Sequence, residues 1–600
     1  MQPEYIVVGS GPGGGTLAAR LAEAGRKVLL LEAGSDPKDL AGGNARLPDD
    51  YDVPCFHGPS TENEALKWDF FVRHYGDLAQ QKLDDKYVPE KDGVLYPRVG
   101  ALGGCTSHNA MIMVYPHNAD WEHIAALTGD ESWKADNMRS FFEKLENCHH
   151  RPFDRVLGEV GISPSRHGWN GWLQTEKAIP ETALGDSTLV ATILESAFDA
   201  FVKGGHVIDR VKWLIESQLD PNDWRVVQEN GIGLRYPPLT TRNHQRMGTR
   251  ERVLEAQEKF GLGVETDALV TKVLFDESGK RAVGVEYLRG KRLYKAFSPQ
   301  GAGLGERREV LALKEVILAG GAFNTPQMLM LSGIGPAAHL NAMGIPVRAD
   351  LPVGENLQDR YEVGVVNRMA MDWEVLKGAK FAKGDPQYEE WAVHRKGVYT
   401  TNGAVLALIK RSLETQPLPD LFCFALLGLF RGYFPGYSKL FPAHLNYLTW
   451  AILKAHTLNR AGEVKLRSLD PRDVPEINFH YFDESSDKAG EDLQAVVEGI
   501  KFVRTMTAPL IDEGLIEAEE LPGPNVQTDE ELRTFVRNNA WGHHASCTCP
   551  IGTVLTSDFK VRGIDGLRVV DASVFPRIPG FFILSAVYMV GEKAADAILH

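Results

Sequence analysis

Apolar residues fall along the chain in short clusters, most of them stopped by glycine or proline. The first cluster, Tyr5 to Val8, stands almost at Met1 and ends at Gly9. Leu17, Ala18, Leu21 and Ala24 then share one face at helical spacing, and a second apolar run, Val28 to Leu31, ends in Glu32. Brief apolar runs bounded by turn residues read as buried strands, and a period near 3.6 reads as an amphipathic helix. Residues 5–32 therefore predict strand, helix, strand. Further strand-like runs are VTKVLF, which holds Val270, Leu567 to Val570, HLNYLTWAIL and AGEVKLRS. A last helix is expected from about Val587.

The turn between the first strand and helix reads Gly9-Ser10-Gly11-Pro12-Gly13-Gly14. This is G-x-G-x-x-G in the context that gives it meaning, a βαβ unit with an acid closing the second strand. Gly9 permits the tight turn, Gly11 lets backbone approach a pyrophosphate, and Gly14 packs helix on strand. Pro12 and Gly13 open the helix, whose free N–H groups and dipole favour an anion. Glu32, followed by Ala33, is placed to bond the ribose hydroxyls of an adenosine. The motif alone does not choose between NAD and FAD.

Composition narrows the function classes. A chain of 600 residues, 43% hydrophobic and 24% charged, has the make-up of a globular protein. Single cores stop growing near about 250–300 residues, so more than one domain is expected. A net charge of −15 argues against a nucleic-acid surface, which needs clustered Lys and Arg. No run reaches the ~18 apolar residues of a membrane span, and no basic stretch leads into an apolar one as in a signal peptide. Six cysteines in so long a chain suit a reducing compartment, with the cytoplasm as the expected location.

Four other segments choose the cofactor: PRVGALGGCTSHN at 97–109, GAFNTPQMLMLSGIG at 321–335, PVGENLQD at 352–359 and GLRVVDASVFPRIPGFFILSAVYMVGEKAAD at 566–596. With them the chain resembles the glucose–methanol–choline (GMC) oxidoreductase family, from Tyr5 to Leu599 and most weakly in 150–230 and 365–450. The resemblance implies an α/β fold, with a Rossmann-like FAD-binding domain interleaved with an α+β substrate-binding domain on an antiparallel sheet. The FAD domain would take 1–150, 225–345 and 531–600, and the substrate domain 346–530 with an insertion at 151–224. It also implies bound FAD and hydride transfer from an alcohol carbon to flavin N5, giving an aldehyde or ketone. Gly103, Gly104 and Cys105 would lie against the flavin, with Asn109 anchoring their loop. Val270 would lie on the adenine-contacting strand. Asp571, beside Ala572, would meet the ribityl or pyrophosphate groups, and the dipole of the last helix would stabilise negative charge on reduced flavin.

The catalytic end reads WGHHASCTCPIG at 541–552. Alignment on Ile551-Gly552 makes His544 the family's proton acceptor, a role that suits imidazole because its pKa lies near working pH. His543 is the neighbouring alternative, or a hydrogen-bonded core histidine. The chain departs from the family at two positions. Phe582 stands where a second His or Asn is usual and can neither donate nor accept. Ser585 and Arg577 are the nearest polar side chains in sequence. Arg360 stands where His commonly follows Asn356-Leu357-Gln358-Asp359. A zinc reading of His543, His544, Cys547 and Cys549 lacks the usual paired spacing, Cys148-His149-His150 reads as a surface run, and no metal is expected.

The stretch GGCTSHNAMI is similar to the choline oxidase form of the motif, in which the histidine is bonded to the flavin. That makes His108 the candidate for a covalent link. The aromatic-rich stretch 421–454 would line an apolar tunnel for a hydrophobic or aromatic alcohol, or form sheet core. Oxygen or a quinone or dye would take the electrons. The alternative is atypical chemistry on this fold, oxidation of another donor or a photochemical decarboxylation of the algal fatty-acid type. Against the latter stand His544 and His456, which occupies the place of that branch's cysteine.

Overall fold

The computed structural model describes residues 2–39, 47–159, 161–178 and 219–600, so the larger part of the expected 151–224 insertion lies outside the described residues. The expected first unit forms as strand Tyr5–Val8, helix Pro12–Glu23 and strand Val28–Leu31. Ile6 and Val7 are fully buried in the parallel sheet they join, against which pack helix Pro12–Glu23 and the antiparallel strands Ala268–Phe275 and Ala282–Arg289. That sheet has five strands in the order Gly263–Glu265, Val28–Leu31, Tyr5–Val8, Glu315–Leu318 and Leu567–Val569. All four pairings are parallel. Its members come from the start, the middle and the end of the chain.

The glycines of the turn have separate reasons. Gly9 has φ +102°, and a Cβ there would stand 2.3 Å from the Ala319 carbonyl oxygen. A Cβ on Gly13 would meet the Val570 carbonyl oxygen at 2.2 Å, and one on Gly14 the Gly9 carbonyl oxygen at 2.2 Å. The start of the helix is thus pressed against the end of the first strand and against Val570, which follows Leu567–Val569. A Cβ on Gly11 would meet nothing within 4 Å, because that face opens onto a cavity. The final helix, Leu584–Leu599, begins three residues before the expected Val587 and packs along Pro12–Glu23.

The second layer is a six-stranded sheet in the order Ile516–Leu521, Tyr361–Met369, Tyr447–Lys454, Leu421–Leu427, Ala404–Lys410 and Gly233–Arg235. Every pairing is antiparallel. Helix Glu491–Asp512 covers part of one face. HLNYLTWAIL supplies the fully buried strand Tyr447–Lys454, whereas AGEVKLRS forms only a separate two-stranded ribbon, Glu463–Lys465 with Glu476–Asn478. The Gly233–Arg235 strand lies within the 225–345 stretch expected of the FAD domain yet pairs here, so the two layers interleave more finely than the motif order suggests. Val270 lies on Ala268–Phe275, part of a three-stranded antiparallel sheet.

The contrast between Gly14 and Gly11 predicts opposite outcomes for one added methyl group. In flavin-free protein, Gly14→Ala should lower unfolding stability by about 1–3 kcal/mol through forced backbone movement. Gly11→Ala should stay within about 0.5 kcal/mol of the parent. Urea denaturation of both variants measures the difference.

Candidate active site

A cavity of about 360 Å³ runs from the Gly9–Gly13 turn, between the two layers, to the paired histidines at 543 and 544. Of the residues expected at the site, Gly9, Gly11, Pro12, Gly13, Glu32, Ala33, Gly104, Cys105, His108, Asn109, Val270, Asp571, Ala572, Phe582, His543 and His544 all line it. Gly103 and Gly14 do not. They stand behind the lining, where a Cβ on Gly103 would meet Ser107 Oγ at 2.6 Å. The opposite wall is aromatic and comes from 421–454, with Phe424, Phe430, Tyr433, Tyr437 and Phe441. That stretch is thus both sheet core and cavity wall.

The nucleotide end is tied together by the Glu32 carboxylate. It accepts from Gly34 N at 2.9 Å and Ser10 N at 3.1 Å, and Ser10 Oγ also donates to it. Ser10 Oγ in turn accepts from Gly103 N at 2.9 Å. Burial pushes the Glu32 carboxyl above its ordinary value, against these bonds. Asp571 is engaged in the same way. It accepts from Gly321 N at 2.9 Å, Thr325 Oγ1 at 2.6 Å and Ser573 N at 2.8 Å, so its carboxylate fastens a helix to the last strand. Asn109 holds its loop by accepting from Arg246 Nη1 at 2.9 Å, a buried arginine that sequence reasoning did not single out. The open side of Gly11, the N-terminus of the first helix and the carboxylate of Glu32 fit an adenine dinucleotide laid along this end.

At the far end the two imidazoles lie side by side, ring centroids 4.1 Å apart. His543 faces the cavity with His544, and the Nδ1 atoms of both have no hydrogen-bond partner among the described residues. His543 is therefore not the hydrogen-bonded core residue entertained from sequence. Burial, with Arg98 and Arg360 nearby, depresses both imidazoles, His543 to about 3 and His544 well below its ordinary value. Both are neutral at pH 7, with burial disfavouring their protonated forms. Their backbone is held by Asp359, which accepts from His544 N at 2.8 Å and from Tyr96 Oη, while Tyr96 Oη accepts from Ala545 N at 2.8 Å. Arg98 Nη1 donates to the His543 carbonyl at 3.2 Å. Glu362 lines the same space, with Oε1 3.6 Å from His543 Nδ1. Desolvation, with Asp359 nearby, raises its carboxyl to about 8. Tyr96, Asp359 and Glu362 were not singled out from sequence, although Asp359 closes PVGENLQD and Glu362 follows it by three residues.

Phe582 stands edge-on to His544, centroids 5.6 Å apart. Neither polar neighbour in sequence reaches the cavity. Ser585 Oγ donates to the Val114 carbonyl, and Arg577 Nη2 donates to the Ala119 carbonyl. Cys547 and Cys549 are buried in the core beneath the parallel sheet, so the group there that could share an ion is Glu362, His543 and His544. Cys148-His149-His150 is not a surface run as expected. Cys148 and His150 are buried and only His149 is exposed, because the short strand Glu146–Cys148 carries alternate side chains inward.

GMC oxidoreductase models match residues 5–362 and 458–591. The chain is a GMC oxidoreductase. It is 30% identical over 616 residues to an oxygen-dependent choline dehydrogenase of Pseudomonas fluorescens, covering 99% of this chain and 93% of the other. It is likewise 30% identical over 610 residues to the human mitochondrial choline dehydrogenase, covering 99% and 89%. Among solved structures it is similar to a formate oxidase of Aspergillus oryzae RIB40, with TM-score 0.78 at 23% identity and coverage of 100% and 98%. It is also similar to pyridoxine 4-oxidase from Mesorbium loti, with TM-score 0.73 at 22% identity and 99% of each chain covered. The expected fold and family hold, and this GMC oxidoreductase is an FAD-dependent enzyme. No helix among the described residues is long and apolar enough to cross a membrane.

The raised Glu362 carboxyl gives the stability of this GMC oxidoreductase a pH signature. The unfolded side chain ionises near 4.5 and the folded one near 8, so between these values the folded state holds the extra proton. The stabilisation is complete below about pH 4.5 and is lost as pH rises through about 8. Urea midpoints of wild type relative to Glu362→Gln should fall across that window and level off above it. Parallel curves for the two proteins would contradict the assignment.

Proposed function

We propose that this enzyme oxidises the CH–OH group of an alcohol with an apolar or aromatic body, His544 accepting the hydroxyl proton. The observation that carries the reading is a neutral imidazole with a free Nδ1, facing the cavity that begins at the G-x-G-x-x-G turn. Bound FAD supplies the hydride acceptor. The chain's part is to place the alcohol oxygen beside His544, exclude water and hold the proton. Phe582, Phe424 and Phe430 give the substrate an apolar wall. With no polar group at 582, His543 and Glu362 are the polar neighbours that assist His544 in our reading.

Glu362 favours a second substrate reading, an alcohol that also carries a cationic amine. A carboxyl raised to about 8 holds its proton at pH 7 and would ionise beside an ammonium group, with Tyr433 as an aromatic neighbour. The names of the choline dehydrogenase relatives point the same way. Oxygen is the proposed acceptor, by analogy with the oxygen-dependent relatives, with a quinone or dye as the alternative. The six unpaired cysteines suit a reducing compartment, in our reading the cytoplasm.

Loss of a general base costs about 10²–10⁴-fold in rate. His544→Ala should slow anaerobic flavin reduction by that order with FAD still bound. Glu362→Gln should raise KM for choline and other amino alcohols while leaving benzylic alcohols nearly unchanged. Stopped-flow reduction with both alcohol classes decides between the substrate readings, and an unchanged rate in His544→Ala would move the base to His543.

We further propose that His108 carries the flavin covalently. It is buried, lines the cavity and has an Nδ1 without a hydrogen-bond partner among the described residues. Desolvation holds the ring neutral, the form that can bond the 8-methyl carbon. Acid-precipitated wild type should stay yellow and His108→Ala should release its flavin. Full release from wild type would leave His108 as a contact only.

A further inference from the structure

We propose that Cys148, His150 and His167 form a structural site for zinc or a similar borderline divalent ion, outside the flavin cavity. None of the three lines that cavity. One donor atom from each lies within 4.8 Å of the other two, and all three side chains are buried. Cys148 Sγ and His150 Nδ1 are 3.6 Å apart. A tetrahedral zinc with Zn–S near 2.3 Å and Zn–N near 2.0 Å has an S···N edge of about 3.5 Å. The pair is therefore set at the span of one ion, and thiolate with imidazole is the donor chemistry that such an ion prefers.

The second nitrogens are supported as metal ligands usually are. His150 Nε2 stands 3.2 Å from Asp220 Oδ2, which fixes the tautomer that turns the Nδ1 lone pair toward the sulfur. His167 lies between two carboxylates, Nδ1 2.8 Å from Glu146 Oε2 and Nε2 3.1 Å from Asp220 Oδ2. Whichever nitrogen takes the ion, the other keeps a carboxylate partner, and the carboxylate released can close the fourth position. Glu146 and Asp220 are both buried, and Arg151 Nη1 stands 3.7 Å from Asp220 Oδ2. A divalent ion held by a thiolate would add to that guanidinium the positive charge that a second buried carboxylate calls for.

The site would fasten three segments that meet nowhere else in sequence. Asp220 Oδ1 accepts from Asn222 N at 2.9 Å. Asn222 accepts from Tyr115 N at 2.7 Å and donates to the Met113 carbonyl at 2.8 Å. Met111 and Ile112, just before that clamp, line the flavin cavity. The ion thus braces the wall of the active site from behind.

Elemental analysis of tag-free holoenzyme, before and after exposure to zinc and dialysis, tests this directly. We expect about one equivalent per chain, with FAD content unchanged. Exchange with cobalt(II) should give a near-ultraviolet thiolate-to-cobalt band in wild type, and the band should be absent from Cys148→Ser and His150→Gln. The wild-type measurement does not depend on the variants folding. Wild type that holds less than about 0.2 equivalent of either metal after exposure, without the band, overturns the proposal. So does metal retained equally by folded Cys148→Ser and His150→Gln.

Discussion

One buried carboxylate holds the reacting end in place. Asp359 accepts from Tyr96 Oη, from Arg360 N at 2.7 Å and from His544 N at 2.8 Å. These three donors come from the strand Gly93–Val99, from the entry to the antiparallel sheet and from the C-terminal return. Burial works against its ionisation, and the bonds it accepts work for it. Without that side chain, buried donors from all three stretches would lose their acceptor, a penalty of about 1–3 kcal/mol for each such group. Gly542 is glycine for the same reason, since a Cβ there would lie 2.3 Å from Asp359 Oδ2. The position of the imidazoles is therefore decided by the packing of three distant segments and not by their own short loop.

The same economy appears at the nucleotide end, where Glu32 and Asp571 bond backbone N–H groups of neighbouring turns. These acids were expected to meet the cofactor directly. They line the cavity, but most of their acceptor capacity goes to fixing the loops around it. A site assembled from the start, middle and end of a chain needs such internal fasteners to keep its parts in register.

Much of this was legible in the sequence because periodicity and glycine spacing are local. Tyr5–Val8 and Val28–Leu31 form as read, and residues of the glycine turn and of the 97–109, 321–335 and 566–596 segments converge on one cavity, while 352–359 stands behind it. What was not legible depends on contacts across hundreds of positions. Glu362 sits in a run, YEVGVVNRM, that reads as an ordinary strand, and only pairing with Tyr447–Lys454 and the bridge to Trp541 bring it beside His543. Cys148 and His150 looked like a surface run because their partners, His167 and Asp220, lie far along the chain. The break of AGEVKLRS from the main sheet was equally hidden, since an alternating run does not say which strand it will pair with.

The two departures from the family pattern, Arg360 and Phe582, meet on one loop. Arg360 is fully buried and its Nη2 donates to the Pro579 carbonyl, while Asp120 accepts from Gly580 N at 2.8 Å. The turn 579–582 is thus pinned from two sides by charged groups. Its tip, Phe582, packs edge-on to Phe422 with centroids 5.0 Å apart and against Phe424 at 6.3 Å. A polar side chain at 582 would replace a ring that packs on Phe422 and Phe424, and a shorter residue than arginine at 360 could not span to Pro579. The aromatic wall that closes the cavity over His544 and the buried guanidinium that fixes its turn are therefore parts of one arrangement. That arrangement gives up a polar group at 582 and leaves Glu362, His543 and His544 as the polar face of the reacting end.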